Sequence, residues 1–447
     1  MSKAKCQRGE GSTRRVSPKP VFDPACARPF VAGLLSVPVA GLGQMVFGRG
    51  TRGALFALIE VLFCVLYFRV LALPLARLGT LGTRPGVDDS RQILLAGILA
   101  AMVALMYGSF HVYNVLDAAR GARGQRQASR RVRLRSFGAV SPYLYTAPAF
   151  AGATLVILVP LVFGICLAFT NYNLYHSPPA NLFSWVGFEN FKRILSPLSP
   201  WRAEFLRVFV WNITWAVLGT TLAFGLGLGI ALALLNPGVR WRSLFRAILM
   251  LPWAIPATVS IMTFSGLFNT TFGPVNQILK SIGLRAIPWF QDPFWAKIAV
   301  LLTYVWVGFP FNMAVSSAAL QSIPTELYEA ARVDGASAWD CFARITFPLL
   351  FRVVAPVLVL SFAGNFNNFS IIYLLTGGGP AVPSSRGSGA TDILITWVYN
   401  LGFQQLQWSY ASALAVIIFL IVVGMSMLNF RLSGAIMQLQ GEGEQDG

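Results

Sequence analysis

"ELYEAARVDGASAWDCFARITFPLL", Glu326 to Leu350, separates two strongly apolar blocks, "AKIAVLLTYVWVGFPFNMAVSSAAL" before it and "FRVVAPVLVLSFAGNFNNFSIIYLL" after it. The stretch is polar and rich in helix formers. Pro324 suits a helix start, and Glu326 and Glu329 in the first turns complement the helix dipole. Asp334-Gly335 is a stop-and-turn signal, after which Ser337 and Asp340 form a capping-box pattern for a second helix. The reading is two short amphipathic helices joined by a tight turn. The small residues Ala330 and Ala331 permit close approach, so the pair is either a docking element or a loop packed on its own chain.

The rest of the chain says what surrounds this element. Of 447 residues 55% are hydrophobic and 12% charged, about half the charge of a soluble domain, which points to a membrane protein. The net charge of +18 would suggest nucleic acid in a soluble protein. Here the Arg and Lys cluster between apolar blocks, a pattern of membrane orientation, and nucleic acid is excluded as a partner. The five cysteines, Cys6, Cys26, Cys64, Cys166 and Cys341, show no paired or metal-binding spacing. Cys64 and Cys166 fall in apolar runs and are expected as packed thiols. The opening "MSKAKCQRGEGSTRRVSPKP" is basic and rich in Pro, Ser and Gly, with no apolar core close behind. It reads as a disordered cytoplasmic tail and not a signal peptide.

A crossing needs about 20 mostly apolar residues. Eight segments qualify: 53–78, 92–115, 145–170, 206–235, 245–269, 296–320, 352–375 and 408–430. Backbone groups in lipid must be satisfied within the protein, so these segments are helices. A further stretch, Phe30–Phe47, is interrupted by Pro38, Gly41, Gly43 and Gln44 and is expected to be half-buried or interfacial. Residues 1–52 hold nine Lys or Arg against two acids, and the 116–143 loop, centred on "RGARGQRQASRRVRLR", holds seven Arg against one Asp. Arg240, Arg242 and Arg246 add a third cationic loop, whereas 79–91, 171–205, 270–294 and 376–407 are near neutral. Keeping cationic loops inside makes the sides alternate without violation. Both termini and Glu326–Leu350 then lie in the cytoplasm.

Ser361, Asn365 and Asn368 fall at i, i+4 and i+7, one face of a helix. Polar side chains in an apolar span face neighbours or a wet cavity, so the triple is either interhelical hydrogen bonding or part of a substrate pathway. Ser and Asn offer uncharged donors and acceptors suited to sugar hydroxyls. Pro160, Pro252, Pro256, Pro310 and Pro356 interrupt helices and free backbone groups that need a cavity or a partner. "GLGLG", Gly225–Gly229, contains Gly-x-x-x-Gly and permits a close helix contact. Glu60, Arg69 and His111 in the first two spans are expected to snorkel or to form an internal ion pair. "TGGGP", ending at Pro380, lacks the Lys-Ser/Thr of a phosphate loop.

"EAARVDGASAWDCFARITFP", Glu329 to Pro348, resembles the cytoplasmic signature of bacterial ABC-importer permeases, with Phe347 where Leu is usual. "SFAGNFNNFSIIYLLTGGGP", Ser361 to Pro380, is similar to the seventh helix of the larger maltose/maltodextrin-type permease subunit. "LPWAIPATVSIMTFSGLFN", "FGPVN…PWFQDP" and "WVGFPF" agree, and the likeness covers about residues 140–432. The resemblance implies an all-α polytopic bundle of about eight helices with the type I ABC importer permease fold. It implies a second homologous permease, an ATPase dimer that grips the 326–350 helices from inside and holds the ATP and Mg, an extracytoplasmic sugar-binding protein, and surrounding lipid. Glu329, Ala330, Ala331, Asp334 and Gly335 would couple to the ATPase, Glu329 as an ion-pairing residue and Gly335 as a bend no side chain fits. Ser361, Asn365, Asn368, Gly308 and Phe311 would contact sugar. Phe311 stands where a Tyr occurs, Gly364 replaces an aromatic and Ala257 a Ser, so trehalose or another oligosaccharide stands beside maltodextrin. The 35 residues of 171–205 replace a large folded insert, so any outer grip on a binding protein is smaller here.

The expected organisation is 1–52 as a cytoplasmic tail with a candidate interfacial segment, 53–143 as a helix pair with its basic loop, 144–432 as the permease core and 433–447 as a cytoplasmic tail. The location expected is the bacterial inner (cell) membrane. The chain itself carries no nucleotide motif, cofactor or metal site and is not an enzyme. A secondary transporter would want a deeply embedded coupling acid, and only Glu60 qualifies. An enzyme acting on lipid-linked sugars would want paired carboxylates or a metal cluster. His111 and His176 are far apart and no such pair exists.

Overall fold

The computed structural model describes residues 24–47, 50–83, 89–123, 146, 149, 152–178, 181–236, 238–383 and 385–443. Most of the basic 116–143 loop and residues 1–23 lie outside them. Among the described residues the chain is helical, and the only β pairing is isolated bridges such as Thr170 with Trp185. Six helices are long and apolar enough to cross a membrane: α3 (Gly50–Leu78), α4 (Ser90–Arg123), α7 (Pro200–Leu235), α11 (Pro293–Gln321), α13 (Ala338–Phe366) and α16 (Trp408–Gly443). A seventh crossing is a pair bent by 90°, α8 (Arg242–Ala254) and α9 (Ala257–Leu267). The apolar helix α5 (Thr154–Leu167) occupies the third expected span. Between them lie α6 (Glu189–Leu195), α10 (Pro274–Ser281), α12 (Thr325–Val333), α14 (Phe369–Thr376) and α15 (Leu394–Tyr399).

The chain divides into two compact units, 1–81 with 91–161 and 82–90 with 162–447. In the first, Phe30–Phe47 is a helical hairpin: α1 (Pro24–Leu35), a turn, then α2 (Leu42–Val46). The tip of its turn, Val37–Val39, is exposed, while the polar side chains flanking it, Ser36 and Gln44, are buried. Gln44 donates to the Asn114 carbonyl oxygen (2.9 Å) and to its Oδ1 (3.0 Å), Asn114 Oδ1 also accepts from Gly41 N–H (3.1 Å), and Ser36 Oγ accepts from Gly43 N–H (2.9 Å). Glu60 accepts from Ala40 N–H and His111 Nε2 meets the Val37 carbonyl at 2.9 Å. These two residues therefore staple the hairpin turn, a use of intramembrane polarity different from the snorkelling or ion pair expected. Cys64 is exposed on α3, not packed.

The second unit is built on the crossing of α7 and α11. Ser199 caps α7 by accepting from Trp201 N–H (3.3 Å), and Asp292 caps α11 by accepting from Phe294 N–H (2.9 Å), each with Pro at the first helical position. A stripe of small residues on α7 lets α11 close in. A Cβ on Gly227 would lie 2.6 Å from Met313 N, one on Gly219 3.2 Å from the Tyr304 ring, and one on Gly308 3.4 Å from Ala223 Cβ. Gly225 and Gly229 face open space, so the close contact in "GLGLG" is made by its middle glycine and within the chain. Trp215, Val300, Ile371 and Ile393 continue this core toward one end of the crossing, and Leu234, Leu320, Leu350 and Val354 toward the other.

Candidate translocation site

Two prolines break the fifth crossing. Proline lacks an N–H and its ring clashes with the carbonyl four residues back, so Pro252 within α8 and Pro256 at the start of α9 strip the junction of helical bonds. Ile255 is extended there (ψ 133°). The freed backbone faces a cavity of about 420 Å³ lined by Pro252–Ala257 on this side, the arrangement in which unwound backbone is tolerated at membrane depth. Across it α11 presents Tyr304, Gly308, Phe311 and Asn312, and α13 presents Ser361. The Trp253 and Phe311 rings stand 6.1 Å apart and tilted by 46°, two apolar walls. Asn312 donates to the Gly308 carbonyl (2.9 Å), which ties its amide to its own helix. The volume falls in the range of small-molecule sites, and apolar walls with a few placed polar groups are their usual chemistry. A larger groove of about 510 Å³ between α14, α15 and α16 is lined mainly by Val398, Phe403, Trp408 and Ala411. It lacks the convergent polar groups a sugar requires.

Of the residues singled out in the sequence, Ser361, Gly308 and Phe311 therefore share one cavity, with Ala257 opposite. Asn365 and Asn368 are not among its lining residues. Asn365 is 3% exposed; its side-chain amide donates to Thr220 Oγ1 (2.9 Å) and contacts the Tyr304 hydroxyl, and its main-chain carbonyl accepts from Trp215 Nε1 (3.0 Å). It sits one layer behind the wall, holding Tyr304. Asn368 lies beyond the end of α13: the helix stops at Phe366, Asn367 leaves helical geometry, and Asn368 stands at the first position before α14 without a side-chain cap bond. The i, i+4, i+7 face is thus not continuous. The cause is tertiary, because Asn212 of α7 donates to the Phe366 carbonyl (3.0 Å) and accepts from Leu394 N–H (2.8 Å). Gly364 is exposed with open space around it. Tyr304, Trp253 and Asn312 were not picked out beforehand. Tyr304 and Asn312 lie four residues either side of Gly308 and were legible as its helix face.

The capping pattern marks two helix starts as expected, but only the first helix, α12, is short: the second is the beginning of the long α13, which runs on without a break to Phe366. Ala336 N–H bonds the Ala331 carbonyl (2.9 Å) and Gly335 N–H the Arg332 carbonyl (3.1 Å), a Schellman close to α12 with Gly335 at φ 81°. A Cβ on Gly335 would meet nothing within 4 Å. Within this chain the glycine answers to backbone handedness, not to crowding. Ser337 and Asp340 form the reciprocal cap of α13. Glu329, Ala330, Asp334 and Gly335 are exposed and Ala331 half-exposed. Tyr328 OH meets Thr346 Oγ1 at 3.0 Å, which ties α12 to α13.

Residues 225–433 match the family described as binding-protein-dependent transport system inner membrane component. A galactooligosaccharides transport system permease protein, GanP, of Bacillus subtilis (strain 168) is 38% identical over 407 residues, spanning 90% of this chain and 97% of its own. The chain belongs to this permease family. A maltodextrin transport system permease protein, MalC, of Streptococcus pneumoniae serotype 4 is 39% identical over 420 residues, spanning 90% of this chain and 96% of its own. Among solved structures, a bacterial ABC transporter involved in the import of the acidic polysaccharide alginate superimposes with a TM-score of 0.54 at 23% identity, covering 68% of this chain and 99% of that one. The permease thus has the type I ABC importer fold, with the cavity at its broken fifth crossing and the paired helices 325–341 at one end of the bundle.

Among the described residues of the permease no group of three or more His, Cys, Asp or Glu could hold a metal ion.

Proposed function

We propose that this permease is the translocation subunit of an ATP-driven importer that receives maltodextrin-class oligosaccharides from an extracytoplasmic binding protein and passes them to the cytoplasm by alternating access. The observation that carries this reading is 38–39% identity across 90% of the chain to permeases named for oligosaccharides. The cavity supports it: Ser361 and the Tyr304 hydroxyl supply uncharged hydrogen bonds, and Trp253 and Phe311 supply ring faces for pyranose stacking. A second homologous permease completes the pathway, and an ATPase dimer grips Glu329, Ala330, Ala331, Asp334 and Gly335 from the cytoplasm, holding the ATP and Mg that this chain does not bind. Positive-inside charge puts both termini in the cytoplasm of a cell-membrane protein. ATP binding draws the α12–α13 corner inward and rocks α13 against the α7–α11 pair.

A galactooligosaccharide is the second reading, favoured by GanP, whose identity and coverage equal those of MalC within one per cent and one per cent. Uptake of labelled maltotriose into proteoliposomes carrying the full complex tests both. ATP-dependent uptake that Ser361→Phe abolishes while assembly persists is the expected result. Uptake that persists without the ATPase overturns the importer mechanism, and stronger competition by a galactooligosaccharide than by unlabelled maltotriose establishes the second substrate.

A further inference from the structure

A second polar cavity, of about 470 Å³, lies at the end of the unit formed by the 171–205 and 376–407 loops, the extracytoplasmic end on the charge reading above. Arg193, Arg386, Trp201, Tyr410, Gln405 and Gln407 supply its chemistry, and no acidic residue lines it. Trp201 stacks on Tyr410 with centroids 4.9 Å apart and planes 3° from parallel, and the Arg386 guanidinium lies 5.5 Å above the Trp201 ring. Arg193 donates to Tyr410 OH (3.1 Å) and pairs with Glu189 (3.0 Å).

The segment that carries Arg386 is pinned from several directions. Buried Glu204 of α7 accepts from Arg386 N–H (2.6 Å) and Ser388 N–H (3.1 Å), and Trp397 Nε1 donates to the Arg386 carbonyl (3.5 Å). Gly387 takes φ 91°, and any Cβ there would overlap the Gln405 carboxamide. Leu406, between two of the lining amides, holds a left-handed φ of 55°, a conformation that costs of order 1 kcal/mol in a non-glycine residue. A loop held this firmly presents one exposed cation over an aromatic ring.

We propose that this cavity is the docking socket of the binding protein: an acidic side chain on a partner loop enters it to pair with Arg386. The inference rests on the importer reading and deepens it by naming the contact. A carboxylate matches the cation, for which the lining of the cavity offers no acidic partner. The socket is compact, as a grip confined to short outer loops must be.

The test uses the assembled transporter in nanodiscs, titrated with purified sugar-loaded binding protein, with stimulated ATP hydrolysis as readout. Arg386→Gln should raise the half-stimulating concentration about tenfold, with Arg386→Lys between, as removal of one partner of an interfacial charge pair does. Unstimulated hydrolysis and the rate at saturation should not change. Between about 50 and 300 mM NaCl the wild-type midpoint should climb, and that of Arg386→Gln should stay nearly flat. A variant that titrates like the wild type at both salts overturns the socket alone. So does displacement of the binding protein by millimolar free maltotriose, which would make the cavity a sugar site. A wild-type complex that no binding protein stimulates overturns the importer reading itself.

Discussion

Asn365 offers the sharpest test of how the cavity is built. As a sugar contact, it would lose its effect through missing bonds to substrate; as found, it touches Thr220 and Tyr304 and lies behind the wall. Replacing it by Ala leaves those two hydroxyls without their common partner. A buried polar group stripped of its partner costs roughly 1–3 kcal/mol, and Thr220 recovers part of that by bonding back along its own helix. The folded complex should therefore survive, destabilised by about 1–2 kcal/mol. Tyr304 loses the contact that orients its hydroxyl at the cavity, and the half-saturating sugar concentration should rise about tenfold, equivalent to ~1.4 kcal/mol.

The discriminating assay is a double-mutant cycle on transport with Asn365→Ala, Tyr304→Phe and the pair. Acting through Tyr304, the Asn365 change adds little once the hydroxyl is gone, so the double variant should resemble Tyr304→Phe, with a coupling of about 1 kcal/mol. Effects that add to within ~0.5 kcal/mol refute the positioning role and return Asn365 to direct contact with substrate. Normal transport by Asn365→Ala refutes both.

At Gly335 the left-handed φ is the constraint, so Gly335→Asn should keep most ATPase co-purification and Gly335→Val should lose it, since β-branched residues tolerate φ > 0 worst; equal co-purification of the two places the constraint elsewhere. At the α7–α11 crossing, Gly227→Ala should lower the thermal unfolding midpoint by an amount equivalent to about 1–3 kcal/mol, because its Cβ meets backbone. Gly225→Ala, which meets open space, should leave the midpoint unchanged or higher, and the reverse order would place the crossing wrongly.

Much of this was legible beforehand, and what failed did so for identifiable reasons. Among the described residues six of the eight expected spans are long apolar helices, readable because about 20 apolar residues have few alternatives to a membrane helix, whereas the fifth is a bent pair and the third, Thr154–Leu167, is shorter than a crossing needs. The caps of the 326–350 helices were readable because capping is local: Ser337, Asp340 and Gly335 act within a few residues. Prolines 252 and 256 announced a disturbance, yet a 90° bend depends on what the freed backbone meets. Long-range partners were invisible. The end of α13 at Phe366 is decided by Asn212, 154 residues away, and the loop at 386–388 by Glu204, more than 180 residues away. Nothing in the periodicity of "SFAGNFNNF" signals either. The hairpin at 24–46 was obscured likewise, since its polar turn is explained only by Asn114 and Glu60 from other helices.

The distribution of rigid and yielding contacts decides which parts a motor can move. The α7 and α11 backbones meet at Gly227 and Met313 with no side chain between them, and such a crossing slides only by opening a void in a close-packed interior. α13 is held differently. Its outer end is fixed to α7 by Asn212 and by the Trp215–Asn365 bond, while its inner end begins at the exposed Ser337 cap. Between the two runs one helix, on which Ser361 lies 23 residues from Ala338, or about 35 Å at 1.5 Å per residue. A pull on the α12–α13 corner therefore swings α13 or bends it at the π turn Phe342–Thr346 and at Pro356, and the nearer a residue lies to the anchored end, the less it travels. Ser361, only four residues before Asn365, shifts little against Tyr304. The wall that has to give is the one across the cavity, where Pro252 and Pro256 have already removed the helical bonds that would resist.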